Sequence, residues 1–332
     1  MKSYLSLIPI SAKVRKRQNR MMILCIIISV LLVTTIFSAA DMIIRGETVT
    51  MQAKHGNWHI QVNNISDEIA EEISNRPDVT AVGWSAVFNE DADQPYTIGE
   101  RKATLYGTDE TYLAQLADGM EEGAFPQSDQ EVVLSSNAKL ALDVQLGDSV
   151  TVQTPAGNVD LTISGFGSDD QEYYEGQTYL VAVYMTKDAF VSLMNENGVS
   201  DYAPACYMQF QSAAKAADAI AEIQTQYSLP EGSIRENTAI MGLAGQSSNE
   251  SMQNVYGLAA ILFIMVLLAG VLMISGSMNS QVAQRTKFFG MMRCIGASRK
   301  QVIRFVRLEA LNWCKTAIPI GLIVGTVITW AV

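Results

Sequence analysis

Three long runs of apolar residues constrain this chain more than any other feature. Met21 to Ala40 is an uncharged run of 20 residues, and Asn254 to Gly276 is a second uncharged run. Leu311 to Val332 is the third, and Lys315 near its start carries its only charge. About 20 apolar residues in a helix cross the roughly 30 Å of hydrocarbon in a bilayer. The sequence therefore predicts a membrane protein with three α-helical spans.

Basic residues flank these runs and orient them. Six Lys or Arg and no acid lie within 1–20, and seven Lys or Arg lie within 277–310, where Glu309 is the only acid. Short cytoplasmic segments carry this excess of positive charge. We therefore predict a basic cytoplasmic N-terminus and a cytoplasmic loop. The predicted segments are the N-terminus (1–20), span 1 (21–40), an extracytoplasmic domain (41–253), span 2 (254–276), the loop (277–310) and span 3 (311–332).

The first run has an alternative interpretation as a cleaved signal peptide. It follows a basic leader and ends in the small residues Ser38-Ala39-Ala40, as a cleavage site does. Against cleavage, the leader is 20 residues long and the run is long enough to span a bilayer. We therefore favour an uncleaved anchor, and the rest of the predicted topology is the same either way.

The predicted extracytoplasmic domain is strongly acidic. Residues 41–250 hold 33 of the 34 Asp and Glu residues but only nine Lys or Arg. Such a domain stays soluble and does not bind nucleic acid by neutralising phosphates. The basic loop lies between two spans, which argues against nucleic acid as its partner as well.

Alternating and helix-spaced apolar residues predict a mixed α/β fold for this domain. The predicted strands are 58–62, 78–88, 104–106, 131–134, 149–154, 158–165, 179–185 and 205–211. The predicted helices are 65–75, 136–142, 187–195 and 213–227. We expect Ser136 to cap the second helix, and strands 149–154 and 158–165 to form a hairpin around Pro155-Ala156-Gly157.

The sequence contains no recognisable catalytic, cofactor or metal motif. It lacks the G-x-x-x-x-G-K-[ST] phosphate loop, and its two histidines, His55 and His59, are interpreted as structural. Cys206 is the only cysteine of the predicted extracytoplasmic domain and is interpreted as a buried core residue. The acidic cluster from Asp169 to Glu175 lacks the spacing of a calcium-binding loop and is interpreted as solvated. We therefore expect a chain that is not an enzyme and holds no cofactor or metal.

The cytoplasmic loop, residues 277–310, has the pattern of two helices joined by a tight turn and is named the hook. Gly296-Ala297 is expected to end the first helix. Ser298 and Gln301 have the spacing of a capping box, which starts the second helix. The hook is therefore predicted to be a compact helical knob.

One face of the first hook helix is predicted to be apolar. Phe288, Met292 and Ile295 fall at i, i+4 and i+7, and Phe289 widens the stripe. The basic residues Arg285, Lys287 and Arg293 are expected to lie outside it. Such a stripe suits either a lipid surface or a groove on a protein, and the pattern alone does not choose between them.

Span 3 contains a second pattern of interest. Gly321 and Gly325 are spaced by four, which lets helices approach closely in lipid. The prediction is that both pack on another span, and the alternative is that they are ordinary small residues of a membrane helix.

The hook resembles the signature of the FtsX/MacB-type permease subunits of ABC transporters. That signature runs as R-x-x-x-φ-G-φ-φ-R-x-φ-G-A, where φ is apolar, with a helix and an acid after it. The matching residues are Arg285, Gly290, Arg293, Ile295, Gly296, Ala297, Ser298 and Glu309. The order of the spans and the large domain is also similar to that of the family. The stretch EVVLSSNAKLALDVQLGDSVTV is similar to one that recurs in the family's external domain. Phe288 stands where the family often has an acid and Cys294 where Ala is common, which argues against one specific salt bridge to an ATPase.

The resemblance implies a function in the bacterial cytoplasmic membrane. Members of this family couple a separate cytoplasmic ATPase dimer to an extracytoplasmic domain, work as two permease halves, and export or extract a substrate. Family members have at least one further span, so the chain is expected to be a partial permease. The residues implied to contact the ATPase are Arg285, Lys287, Phe288, Phe289, Gly290, Met292, Arg293, Ile295 and Gly296. The alternative is a membrane-anchored sensor or adaptor whose outer domain binds a ligand or regulates an envelope enzyme.

Overall fold

The structure, a computed structural model, describes residues 16–91, 93–117, 119–168 and 180–331. The acidic cluster predicted to be a solvated loop, 169–175, lies outside these ranges. The helices are α1 (Lys16–His55), α2 (Asp67–Ser74), α3 (Ala138–Ala141), α4 (Lys187–Glu196), α5 (Ala213–Gln226), α6 (Thr238–Leu243), α7 (Glu250–Gln284), α8 (Thr286–Cys294) and α9 (Arg299–Ala331). The strands are β1 (Ile60–Asn63), β2 (Val79–Phe88), β3 (Thr97–Ile98), β4 (Arg101–Thr108), β5 (Met120–Gly123), β6 (Glu131–Ser135), β7 (Ser149–Thr154), β8 (Gly157–Gly167), β9 (Leu180–Thr186), β10 (Ala203–Phe210) and β11 (Ile234–Glu236).

The chain divides into a helical unit and a mixed α/β unit. The helical unit ends at Gly46 and resumes at Asn254, and the α/β unit is Glu47–Gln253. Three described helices are long and apolar enough to cross a membrane: Asn19–His55, Glu250–Gln284 and Arg299–Ala331. Each coincides with one of the three predicted apolar runs. The boundaries of the spans within these helices stay predictions.

In the α/β unit, the described strands form a single sheet. Its order is β11-β1-β10-β2-β4-β3-β7-β8-β6-β9, and β5 pairs with β8. Strand β9 also pairs in parallel with β4, in a register that sets Leu105 opposite Val183. This pairing closes the strands from β4 to β9 into a ring, so the larger part of the sheet has no free edge there.

Two apolar clusters stabilise the sheet. The ring cluster fills the closed part and includes the buried residues Leu105, Phe166 and Phe190. The edge cluster lies where α2 and α5 cover β1 and β10, and it includes Ile73 and Met208. Helix α5 contributes Ala213, Ala216, Ala219 and Ile223 to it. The small side chains on this face let the helix lie close to the sheet.

Most of the predicted elements are present, but the cap predicted for α3 is wrong. The hairpin of β7 and β8 is confirmed, with Thr154 paired to Gly157. The residue that precedes α3 is Asn137, not Ser136, and its side chain makes no cap bond. The Asn137 amide instead donates to the Leu180 carbonyl at 2.8 Å. The Asn137 Oδ1, the acceptor that a cap would use, instead accepts from the Ser135 hydroxyl at 2.6 Å.

The structural interpretation of His59 and Cys206 is confirmed. His59 is buried, and its Nδ1 accepts a hydrogen bond from the Phe210 amide at 3.0 Å. Burial lowers the pKa of His59, so the ring stays neutral and can accept this bond. Cys206 is buried in the edge cluster, and burial raises the pKa of its thiol to about 11. Such a thiol is unreactive.

Candidate functional site

The turn of the hook ends α8 with a glycine in the left-handed region. Gly296 has φ +94°, which an L side chain rarely adopts. Its N–H donates to the Arg293 carbonyl at 3.0 Å, and the Ala297 N–H donates to the Met292 carbonyl at 3.0 Å. These two bonds are the Schellman arrangement, which satisfies carbonyls at the helix end. The predicted role of Gly296-Ala297 as the helix terminator is therefore confirmed.

The second hook helix begins with the predicted capping box. The Gln301 N–H donates to the Ser298 hydroxyl at 3.3 Å, and the Ser298 N–H donates to the Gln301 side-chain oxygen at 2.8 Å. Two backbone donors at the start of α9 are thus satisfied reciprocally. The turn is consequently held at both ends by local bonds.

Part of the apolar stripe packs inside the hook. Phe289 and Met292 of α8 are buried against Phe305 of α9. The residues packed around them are Phe288, Ala297, Val302 and Val306. The rings of Phe288 and Phe305 lie 6.2 Å apart. Because α9 covers these side chains, much of the apolar stripe of α8 is buried within the hook itself.

A buried ion pair joins the two ends of the hook. Arg285 Nη1 lies 2.5 Å from Glu309 Oε2, and Nη2 lies 2.8 Å from Oε1, a bidentate geometry. Arg285 is 5% exposed and Glu309 is 1% exposed. The guanidinium also lies 5.8 Å from the centre of the Phe289 ring. Arg285 is therefore enclosed within the folded hook, because α8 folds back and brings it against α9.

The tip of the hook leaves apolar side chains exposed. Ile295 is 84% exposed and Met291 is 58% exposed. Ile295 is the C-cap residue of α8, and α9 does not cover it as it covers Phe289 and Met292. Lys287 and Arg293 are exposed beside this tip, and so is Gly290. The sequence pattern did not single out Met291, which lies off the helical stripe.

In the helical unit, the two glycines of α9 face α1. A Cβ at residue 321 would lie 2.8 Å from Val30 Cβ and 3.1 Å from the Ile27 carbonyl oxygen. A Cβ at residue 325 would lie 2.9 Å from Thr34 Cβ. Ala317, one turn earlier in α9, is buried with Trp313 of the same helix against Met22 and Ile26 of α1. Small residues at four-residue spacing therefore lie where α9 approaches α1 closely.

Two family models match this chain, one over a segment that includes most of the α/β unit and one over the segment that contains the hook. The family model of the MacB-like periplasmic core domain matches residues 21–226. The model of the FtsX-like permease C-terminal region matches residues 260–332, which include the hook and α9. The chain belongs to the FtsX/MacB-type permease family. The resemblance carried by the hook residues is confirmed.

Two solved structures are similar to this permease. One is the periplasmic region of MacB from Actinobacillus actinomycetemcomitans, at 14% identity and a TM-score of 0.41, covering 60% of this chain and 97% of that one. The other is a domain of a putative permease protein from Porphyromonas gingivalis, at 13% identity and a TM-score of 0.35, covering 55% and 89%. No curated protein sequence matches the chain.

Membership of the family defines the general character of the protein. This permease is a membrane component of the ABC transporter type, with apolar helices and a MacB-like periplasmic domain. Permeases of this family work with cytoplasmic ABC ATPase partners. The hook is the part of the FtsX-like region that the sequence predicts to face such a partner.

Proposed function

We propose that this permease couples ATP hydrolysis by a separate cytoplasmic ATPase dimer to movement of its periplasmic domain. In this proposal the hook is the coupling element, and two permease halves, identical or different, move together. The movement exports or extracts a substrate at the outer side of the membrane. The chain itself is proposed to be non-catalytic and to bind no cofactor.

The observation that carries this proposal is the exposed apolar tip on a tightly held hook. Ile295 projects from a turn fixed by the Gly296 cap, the Ser298 capping box and the buried Arg285–Glu309 pair. Exposed apolar groups on a rigid support favour docking into a protein groove, because little conformational entropy is lost on binding. Lys287 and Arg293 beside the tip suit the rim of such an interface.

The orientation is also part of the proposal, and a natural cysteine tests it. Cys294 is exposed next to the tip, whereas Cys206 is buried. In a variant with Cys25→Ser and Cys314→Ser, we expect a membrane-impermeant maleimide to label Cys294 only after the cell membrane is permeabilised. Asn158→Cys, at an exposed position of β8 beside the hairpin turn, should be labelled in intact cells. Labelling of Cys294 in intact cells would contradict the proposed orientation.

Docking is tested by removing the apolar tip. Met291→Ser with Ile295→Ser is expected to reduce recovery of the ATPase with the full-length permease. Loss of one apolar anchor typically costs about 2 kcal/mol, or roughly 30-fold in affinity. The measurement is the amount of a protein with a Walker phosphate loop that co-purifies, identified by mass spectrometry, together with its ATP turnover.

A control variant separates loss of docking from the effect of removing any exposed apolar side chain. Leu140→Ser removes an apolar side chain that is at least as exposed as those of the tip, from the periplasmic domain, and should leave ATPase recovery unchanged. Equal recovery with the tip variant and with wild type would indicate that the tip lies on lipid. No ATPase with the wild-type permease would favour the sensor or adaptor function instead.

A further inference from the structure

The chain enters and leaves the periplasmic domain on neighbouring strands. Strand β1, the first after α1, pairs antiparallel with β11, the last strand before α7, and sets Ile60 opposite Glu236. The Asn237 N–H extends this ladder by donating to the His59 carbonyl at 2.9 Å. Strand β11 lies at the end of the sheet order. Both connections to the apolar helices therefore reach one edge of the sheet.

Asn237 bonds the end of the entering helix. Its Nδ2 donates to the carbonyls of His55 and Gly56, at 3.2 and 3.4 Å. The last carbonyls of a helix have no partner within the helix, so a side-chain donor there fixes the helix end. The Asn237 Oδ1 accepts from the Ile240 N–H at 3.4 Å and caps α6. Asn237 is 4% exposed, so these bonds are shielded from water.

Glu236 bonds the segment that leads into α7. One carboxylate oxygen accepts from the Ser247 hydroxyl, and the other accepts from the Ser248 N–H at 3.0 Å and the Ser248 hydroxyl at 2.9 Å. Gln253 in the first turn of α7 donates to the Ser247 carbonyl at 2.7 Å. Burial alone would raise the pKa of Glu236, but the bonds from Ser247 and Ser248 outweigh it and hold the pKa below its usual value. The carboxylate is therefore ionised at neutral pH, and its bonds are charge-assisted.

We infer that Glu236 and Asn237 form a junction that anchors both membrane connections to strand β11. The two residues are adjacent in sequence. Asn237 bonds the end of α1, and Glu236 bonds Ser247 and Ser248, which lead into α7. A displacement of either helix is then delivered to the β1–β11 edge and to the edge cluster behind it. Without the junction, the segments 56–59 and 244–249 would take up the displacement as loop motion. The inference rests on the proposed coupling function and assigns positioning residues to it.

The anchoring itself is tested by amide hydrogen exchange of the full-length permease in lipid nanodiscs. Asn237→Asp keeps the cap acceptor but replaces the donor with an oxygen that faces two carbonyls. Glu236→Gln removes the charge and turns one acceptor into a donor. We expect exchange roughly tenfold faster or more, in 47–57 for the first variant and in 246–253 for the second. Glu231→Gln, an exposed charge nearby, is the control and should change neither segment. Unchanged exchange in both segments would overturn the junction.

Coupling is tested by repeating the exchange with the ATPase bound, in ADP and in a non-hydrolysable ATP analogue. In the wild type, β1 and β11 should exchange differently in the two nucleotides. Both junction variants should lose at least half of that difference while recovering as much ATPase as wild type, a result that a loss of stability alone does not produce. A full nucleotide difference in both variants would overturn the junction. Failure to recover an ATPase with wild type would overturn the proposed function and leave the first measurement to decide the anchoring.

Discussion

Glu309→Gln is expected to open the hook. The substitution keeps the shape of the side chain but leaves the guanidinium of Arg285 buried without its counter-charge. Breaking a buried ion pair by removing one partner typically costs about 3–5 kcal/mol, because the remaining charge is left uncompensated. Local opening of α8 away from α9 relieves this cost. Digestion of the full-length permease by a non-specific protease should then cut within the hook much faster than in wild type, and recovery of the ATPase should fall.

Two further variants decide whether the pair is the cause. Arg285→Met with Glu309→Leu replaces both charges with apolar groups, which is often neutral at buried pairs, so protease resistance should return close to the wild-type level. Arg293→Met removes an exposed charge from α8 and should have little effect on protease resistance, because surface charges contribute little to stability. If Glu309→Gln is no more sensitive to the protease than Arg293→Met, the pair does not hold the hook closed.

Local signals in the sequence predicted most of the fold. The long apolar helices were predicted from the length of the uncharged runs, and the β7–β8 hairpin was predicted from its turn residues. Gly296 predicted where α8 ends, and the Ser298 capping box predicted where α9 begins. Each of these depends on residues close together in the chain. The parallel pairing of β4 with β9 was not predictable, because it joins residues such as Leu105 and Val183 that are far apart in sequence. The short elements β3, β5, β11 and α6 were missed for lack of a periodic pattern.

The candidate site was predicted only in outline. The sequence located the hook and its family, but the arrangement of its side chains depends on α8 folding back on α9. That contact buries Arg285 with Glu309 and turns Phe289 inward. It also leaves Ile295 as the exposed residue of the stripe. Helical periodicity cannot indicate which side of an amphipathic helix is covered by the same chain and which remains for a partner.

The second large effect is expected at the contact of α9 with α1. Gly321→Leu with Gly325→Leu should separate these helices, because the added Cβ atoms would already lie within 3.0 Å of Val30 and Thr34. The Ile27 carbonyl oxygen is backbone and cannot rotate away. Overpacking of this kind typically costs about 1–3 kcal/mol for each site. The thermal unfolding temperature of the full-length permease in nanodiscs should therefore fall, and cysteine cross-links between α1 and α9 should weaken.

The chain offers a matched control for added volume. Gly257 and Gly276 of α7 also lie in an apolar helix, and a Cβ at either position meets nothing within 4 Å. Gly257→Leu with Gly276→Leu adds the same two side chains and should leave stability and cross-linking near wild type. Equal effects of the two double variants would mean that Gly321 and Gly325 are ordinary small residues of a membrane helix. A loss of stability and cross-linking in the α9 double variant alone would mean that Gly321 and Gly325 set the distance between α1 and α9. In lipid, close packing and not the exclusion of water holds helices together.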